Sequence, residues 1–180
     1  MTFDYPVWTG SEWIQLPVPV SGGEPVVVPN VNAVVYRGPD RRFLLLQRRD
    51  KPGEVVRGRL ELPGGRWRAG ESPDTAIVRE VAEETGVQLT AVAAAIERTE
   101  HEPDIATATA RPLAVVVGIE GAYPSLHVVF ECYGEGEPRG VPGETAAPAW
   151  WPVDDVRDLL NGTPEAFVWP AVAALRAALG

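Results

Sequence analysis

The sequence predicts an α/β fold, and three observations predict it. Apolar runs of strand length recur at residues 31–36, 43–47, 60–62, 113–119 and 126–133, with turn signals such as Gly38-Pro39-Asp40 between them. Two or three helical stretches with their own start and stop residues interrupt and follow these runs. The 180 residues, 45% hydrophobic and 23% charged, suit one domain large enough to bury a core, with no internal repeat and no domain-length linker. Strands and helices interleaved in this way give an α/β sandwich.

Taken in order, residues 1–30 carry Pro6, Pro17, Pro19, Pro25 and Pro29, which forbid a long helix, together with Trp8 and Trp13 around Thr9-Gly10-Ser11. This stretch reads as an extended N-terminal arm, not an independent domain, ahead of a main domain at residues 31–180. An arm this apolar requires cover, and it can add strands, wall a pocket or cross to a second subunit. A homodimer is the expectation. Residues 50–58 form a loop before the run at 60–62, which leads into Pro63-Gly64-Gly65.

Residues 72–86 form the best-defined helix. Ser72 is a capping residue, Pro73 suits the first helical position, and Gly86 can take the left-handed conformation that ends a helix. Helical spacing makes Ile77, Val78, Val81 and Thr85 the buried stripe. Glu80, Glu83 and Glu84 then meet on one patch beside it. Three like charges in the last turns repel one another and oppose the helix dipole. Oxygen donors without nitrogen or sulfur partners suit Mg²⁺ or Mn²⁺, while a solvated acidic face is the alternative.

Beyond this helix, residues 90–98 read as a strand and 99–109 as a loop bearing Glu100-His101-Glu102-Pro103-Asp104. In the run at 126–133, His127 and Glu131 share a face that could border a site. Residues 134–148 read as a loop, a short helix follows from Asp154 or Asp155 to Leu160, and Pro170 kinks or divides a last helical stretch.

The pattern Gly65, five residues, Glu71, seven residues, Arg79-Glu80, Val81, one residue, Glu83-Glu84, one residue, Gly86, Val87 resembles the Nudix box at every specified position, and Glu61-Leu62-Pro63-Gly64 resembles its lead-in. The resemblance extends loosely over residues 31–160. It implies a mixed sheet between helices and a divalent-metal-dependent pyrophosphohydrolase. Glu80, Glu83 and Glu84 would hold Mg²⁺ or Mn²⁺, with the Gly64 carbonyl as a further ligand. Glu71 and Arg79 would be a supporting ion pair. Arg66 and Arg68 would contact phosphate, Trp67 could stack on a base, and Glu144, an acid on a loop before tryptophan, could act in catalysis. Substrates in view are a nucleoside diphosphate linked to another group, such as ADP-ribose or a nucleotide sugar, and a damaged (d)NTP. A non-catalytic sensor of nucleotide sugars is the alternative that keeps the fold without the reaction. Pro103, sixteen residues after Val87, resembles the ADP-ribose pyrophosphatase subgroup, although the residues around it do not.

Net charge of −9 argues against nucleic-acid binding. Ten of the sixteen cationic residues fall between Arg37 and Arg68, making that segment +6 and the remainder −15. Such a segment could attract a polyphosphate, or be ordinary surface charge. The single Cys132 excludes an internal disulfide and fits a reducing compartment. With no apolar run of spanning length and no basic leader, a cytoplasmic protein is the expectation.

Overall fold

A computed structural model describes residues 4–9, 11–17, 20–21, 24–25, 27–103, 105–119, 124–142 and 145–180. Glu144 and Asp104 lie outside the described residues, as does the side chain of Trp8. The strands are β1 (Asp4–Trp8), β2 (Trp13–Pro17), β3 (Val20–Ser21), β4 (Glu24–Pro25), β5 (Val28–Arg37), β6 (Phe43–Arg49), β7 (Leu60–Glu61), β8 (Gly64–Arg66), β9 (Gln88–Val92), β10 (Glu97–Glu102), β11 (Ile105–Thr109), β12 (Ala114–Gly118), β13 (Ser125–Glu135) and β14 (Thr145–Pro152). The helices are α1 (Pro73–Thr85), α2 (Val153–Gly162) and α3 (Trp169–Leu179), with a single 3₁₀ turn at Pro164–Ala166.

One mixed sheet forms the centre, in the order β12-β13-β5-β6-β14, with β7 added to β6, β8 to β5 and β9 to β13. The β13–β5 pair is parallel and every other pair is antiparallel. The pleat sends successive side chains to opposite faces, and both faces are apolar. Val31, Ala33, Val35, Leu45, Phe130 and Cys132 pack against Ala76, Ile77 and Val81 of α1. Their neighbours Val34, Tyr36, Leu44, Leu46 and Val129 pack on the opposite face against Val156 and Leu160 of α2 and Val172 and Leu175 of α3. The result is the expected α/β/α sandwich. No helix among the described residues is long and apolar enough to cross a membrane.

The arm is two small hairpins, β1 with β2 and β3 with β4, outside the central sheet. Trp13 ties it to the main body, its indole N–H donating to the Pro52 carbonyl at 2.6 Å.

Several expectations need correction. Val78 is 45% exposed, and its expected place in the buried stripe of α1 is taken by Glu80 and Glu84. Ser72 makes no side-chain cap, because its hydroxyl bonds Asp74 Oδ1 at 2.6 Å instead. The expected loop at 99–109 is largely the β10–β11 hairpin, exposed along its described length and paired only with itself. Part of the glycine- and proline-rich stretch before Trp150 is the edge strand β14, a tolerant place for Pro148 and Pro152. Pro170 begins α3 and leaves it whole, since proline's missing amide is no loss in the first turn.

The stripe correction is testable. Val81→Ala should cost about 2 kcal/mol as a fully buried side chain is truncated, whereas Val78→Ala should stay within about 0.5 kcal/mol of the parent. Equal losses in denaturant unfolding would restore Val78 to the core.

Candidate metal and phosphate site

The site is assembled where α1 lies across the turn 63–66. Asn30, Val31 and Asn32 of β5 pair with Arg66, Gly65 and Gly64, which presses this turn against the sheet. A side chain at Gly64 would place Cβ 2.2 Å from the Val31 carbonyl oxygen, and its φ of +150° suits glycine alone. At Gly65 a Cβ would fall 2.6 Å from Glu80 Oε2. The two glycines thus let backbone and carboxylate share one small space.

Glu84 lies in the buried stripe of α1, 7% exposed. Its Oε2 accepts from the Gly64 N–H at 2.9 Å and from Gln47 Nε2 at 2.7 Å. Gln47 Nε2 also stands 3.5 Å from Glu61 Oε1. Glu61 pairs in turn with Arg49 at 3.4 Å, and Arg49 Nη2 bonds Glu54 at 2.7 Å. Burial pushes the Glu84 carboxyl up to about 8, with the charge of Glu61 adding to the effect. Burial likewise raises Glu61 and Glu80, with Arg79 acting against it at Glu80.

Arg79 organises the outer side. It gives Nε and Nη2 to the two oxygens of Glu71 at 2.7 and 2.9 Å, a bidentate pairing, and Nη2 also reaches the Arg66 carbonyl at 3.2 Å. Its Nη1 lies 2.6 Å from Glu80 and 3.2 Å from Glu83. The Arg79 hydrogen bonds hold Glu71 down at about 2. Glu83 is half exposed and stands 3.7 Å from Arg68.

The three box carboxylates therefore share a helix side without gathering at one point. Among the described residues no three His, Cys, Asp or Glu side chains form a metal-holding cluster. Glu80 and Glu83 meet on Arg79, while Glu84 turns inward to the turn and β6. This divides the single patch that spacing alone suggests.

Of the other candidates, Trp67 packs partly buried against the α1-side core and donates its indole N–H to the Glu71 carbonyl at 3.0 Å, which makes it part of the turn's framework. His127 and Glu131 fall on the α2–α3 face with Val129, away from α1. His127 meets Asn32 and Ser125 at 2.9 and 3.2 Å, and Glu131 bonds Arg41 and Tyr133. His101 meets Thr107 in the β10–β11 hairpin. Several cations of the +6 segment are spent in pairs, Arg49 with Glu54 and Arg57 with Asp50 within the segment and Arg37 with Glu137 outside it.

The sequence reading gives Gln47, Arg49 and Glu61 no place in the site, although the signal is present. Alternation through Leu45, Gln47 and Arg49 gives them the α1 face of β6, and Glu61 between two buried leucines must face opposite to them.

The α/β/α sandwich, with a carboxylate-bearing helix laid over a glycine turn, is the arrangement that the resemblance implies, and the comparisons agree. The family model described as NUDIX domain matches residues 27–170, and the chain belongs to the Nudix family. Among solved structures it is similar to a MutT NUDIX hydrolase from Burkholderia pseudomallei, with 24% identity, TM-score 0.57, and coverage of 83% of this chain and 97% of that one. It is also similar to the NUDIX domain of Shewanella oneidensis NrtR, solved with ADP ribose, with 19% identity, TM-score 0.61, and coverage of 85% and 86%. A NUDIX hydrolase from Alicyclobacillus acidocaldarius gives 21% identity, TM-score 0.60, and coverage of 84% and 90%. At these identities the likeness shows the fold. An octanoyltransferase of Myxococcus xanthus is 40% identical over 73 residues, 39% of this chain, and the chain spans only 18% of that curated relative.

The Glu71–Arg79 pair predicts an acid limb of stability. The depressed carboxyl stabilises the fold above its ordinary value of 4.5, and that contribution is lost as pH falls toward about 2. Glu71→Gln should lower the melting temperature at neutral pH and flatten its dependence between about pH 4.5 and 2. Parallel melting curves for parent and variant across that window would remove the pair from the fold's support.

Proposed function

We propose that this protein is a divalent-metal-dependent pyrophosphohydrolase acting on a nucleoside diphosphate linked to another group, of the ADP-ribose or nucleotide-sugar kind. The observation that carries the reading is the burial of Glu84 and Glu80 against the Gly64-Gly65 turn. A helix that only needed a solvated acidic face would not place carboxylates in its buried stripe, where desolvation raises both of their pKa values. The ADP ribose named for the Shewanella oneidensis relative supports the substrate class.

The residues present fit Mg²⁺ or Mn²⁺. The donor set of Glu80, Glu83 and Glu84 with the Gly64 carbonyl is all oxygen, as hard cations require. The glycine at 65 leaves the Glu80 carboxylate its space, and Gln47 Oε1 is buried without a hydrogen-bond partner beside the same group of acids. When bound, such a cation neutralises charge on pyrophosphate oxygens and lowers the pKa of an attacking water. Arg79 would stay anchored to Glu71 through Nε and Nη2, so the Nη1 contact to Glu80 and Glu83 is the one a cation competes with. Arg66 and Arg68, on the same turn, would draw in and orient the phosphates. Glu144, the acid ahead of Trp150-Trp151, is proposed to act in catalysis. A homodimer built with the N-terminal arm and a cytoplasmic location belong to the same proposal, and light scattering that gives a monomer would remove the dimer from it.

Glu84→Gln separates this reading from a structural one. In chelator the variant should melt at or slightly above the parent at pH 8, because it no longer buries a charge next to Glu61. Millimolar Mg²⁺ should raise only the parent's stability, by about 2.7 kcal/mol at a hundredfold excess over Kd. Turnover should fall by orders of magnitude in the variant. The substrate is identified by resolving products from a set of ADP-ribose, nucleotide sugars and (d)NTPs. Binding of a nucleotide sugar without cleavage would make the protein a sensor, and parental turnover in the variant would end the hydrolase reading.

A further inference from the structure

We infer that Gln47 is a positioning residue for Glu84, and that β6 and β7 thereby set the cation affinity of α1; the inference rests on the metal-dependent reading above. Gln47 is fully buried, on the α1 face of β6, between Leu45 and Arg49 on that face. Its Nε2 and the Gly64 N–H take the same oxygen of Glu84, Oε2. Two donors on one oxygen, arriving from β6 and from the turn, fix the plane of the carboxylate and leave Oε1 uncommitted to either.

The amide is itself held in one orientation. Nε2 stands between the carboxylates of Glu84 and Glu61, at 2.7 and 3.5 Å, and a flipped amide would bring an acceptor against both. Glu61 is kept in place by Arg49, which is fixed by Glu54. This line of side chains runs from the loop after β6, through β7, to the helix carboxylate. It is local, and each member has a charge or an amide whose orientation the next one decides.

The remaining atom, Gln47 Oε1, is buried without a partner. That is an unfavourable state for an acceptor, and a residue serving only to fill space here would be better as Met or Leu. A water retained by a hydrated cation is a donor of the right chemistry for it. Both halves of the amide then have a use that an aliphatic side chain cannot supply.

The test is Gln47→Met, which keeps length and approximate volume while removing both the donor to Glu84 and the unpaired acceptor. Mn²⁺ binding to metal-free protein is measured by electron paramagnetic resonance, with melting in chelator alongside and kcat and KM on the substrate found above. The variant should melt close to the parent without metal, bind Mn²⁺ about tenfold more weakly, and lose kcat with little change in KM. Gln47→Asn, whose amide is one methylene too short to reach Glu84, should weaken Mn²⁺ binding similarly, and it decides the matter if the Met variant does not fold. A folded variant whose Mn²⁺ Kd stays within twofold of the parent's, with only its melting temperature lowered, makes Gln47 structural and overturns the inference alone. A parent that binds no Mn²⁺ overturns the metal reading, and this inference with it.

Discussion

A buried carboxylate on the inner side of a helix is the constraint on which this structure depends. Glu84 shares the stripe of α1 that carries Ile77 and Val81 into the core, so the helix cannot dock without taking the charge in with it. The desolvation cost is met by two donors on one oxygen, the Gly64 N–H and the Gln47 amide. Each donor requires something of its own element. Gly64 must come within reach of β5, where any side chain would strike the Val31 carbonyl, and β6 must turn an amide inward two residues after Leu45 turns a leucine. The turn, the central sheet and the helix are thereby joined by a polar contact within the apolar packing around it.

Electrostatics divides the box into two halves with different chemistry. On the outer half, Arg79 spreads one guanidinium over Glu71, Glu80 and Glu83, and its proximity keeps Glu71 ionised far into the acid range. On the inner half, Glu84 is held by the Gly64 N–H and the Gln47 amide. The nearest positive group in that chain of contacts is Arg49, already engaged by Glu54 and Glu61. Burial and the neighbouring acid raise Glu84 to about 8, burial raises Glu61 as well, and under the proposed function a divalent cation would relieve both. The outer half is held by an arginine, and the inner half by neutral donors.

The arm and the +6 segment show how linear composition differs from spatial arrangement. Trp13 is anchored on the loop that carries Pro52, so part of the apolar arm is covered by the domain itself. In the cationic segment, Arg49 and Arg57 pair with acids of the same segment, and Arg37 reaches across to Glu137. In each feature, part of the surface that composition suggests is free is engaged by the domain itself.

The sequence by itself determined the box helix, its proline start and its glycine stop, most strands of the central sheet but not its edge strand β14, and the family, because these rest on periodicity, on residues with restricted backbone conformations and on fixed spacing along one chain. It also determined the Glu71–Arg79 pair, whose members lie on one side of the same turn and helix. It placed the acids beside the apolar stripe and Val78 within it, because polarity is normally a guide to exposure, and at Glu80 and Glu84 that guide fails. Only the tertiary structure decided that Glu84 turns inward, that Gln47 and Glu61 meet it, and that His127 belongs to the opposite face. Gln47 and Glu84 are separated by 37 residues of chain, and their contact exists only because β6 and α1 pack on the same face of the sheet. Burial of a charge depends on which donors arrive from other elements, and no local pattern along the helix encodes them.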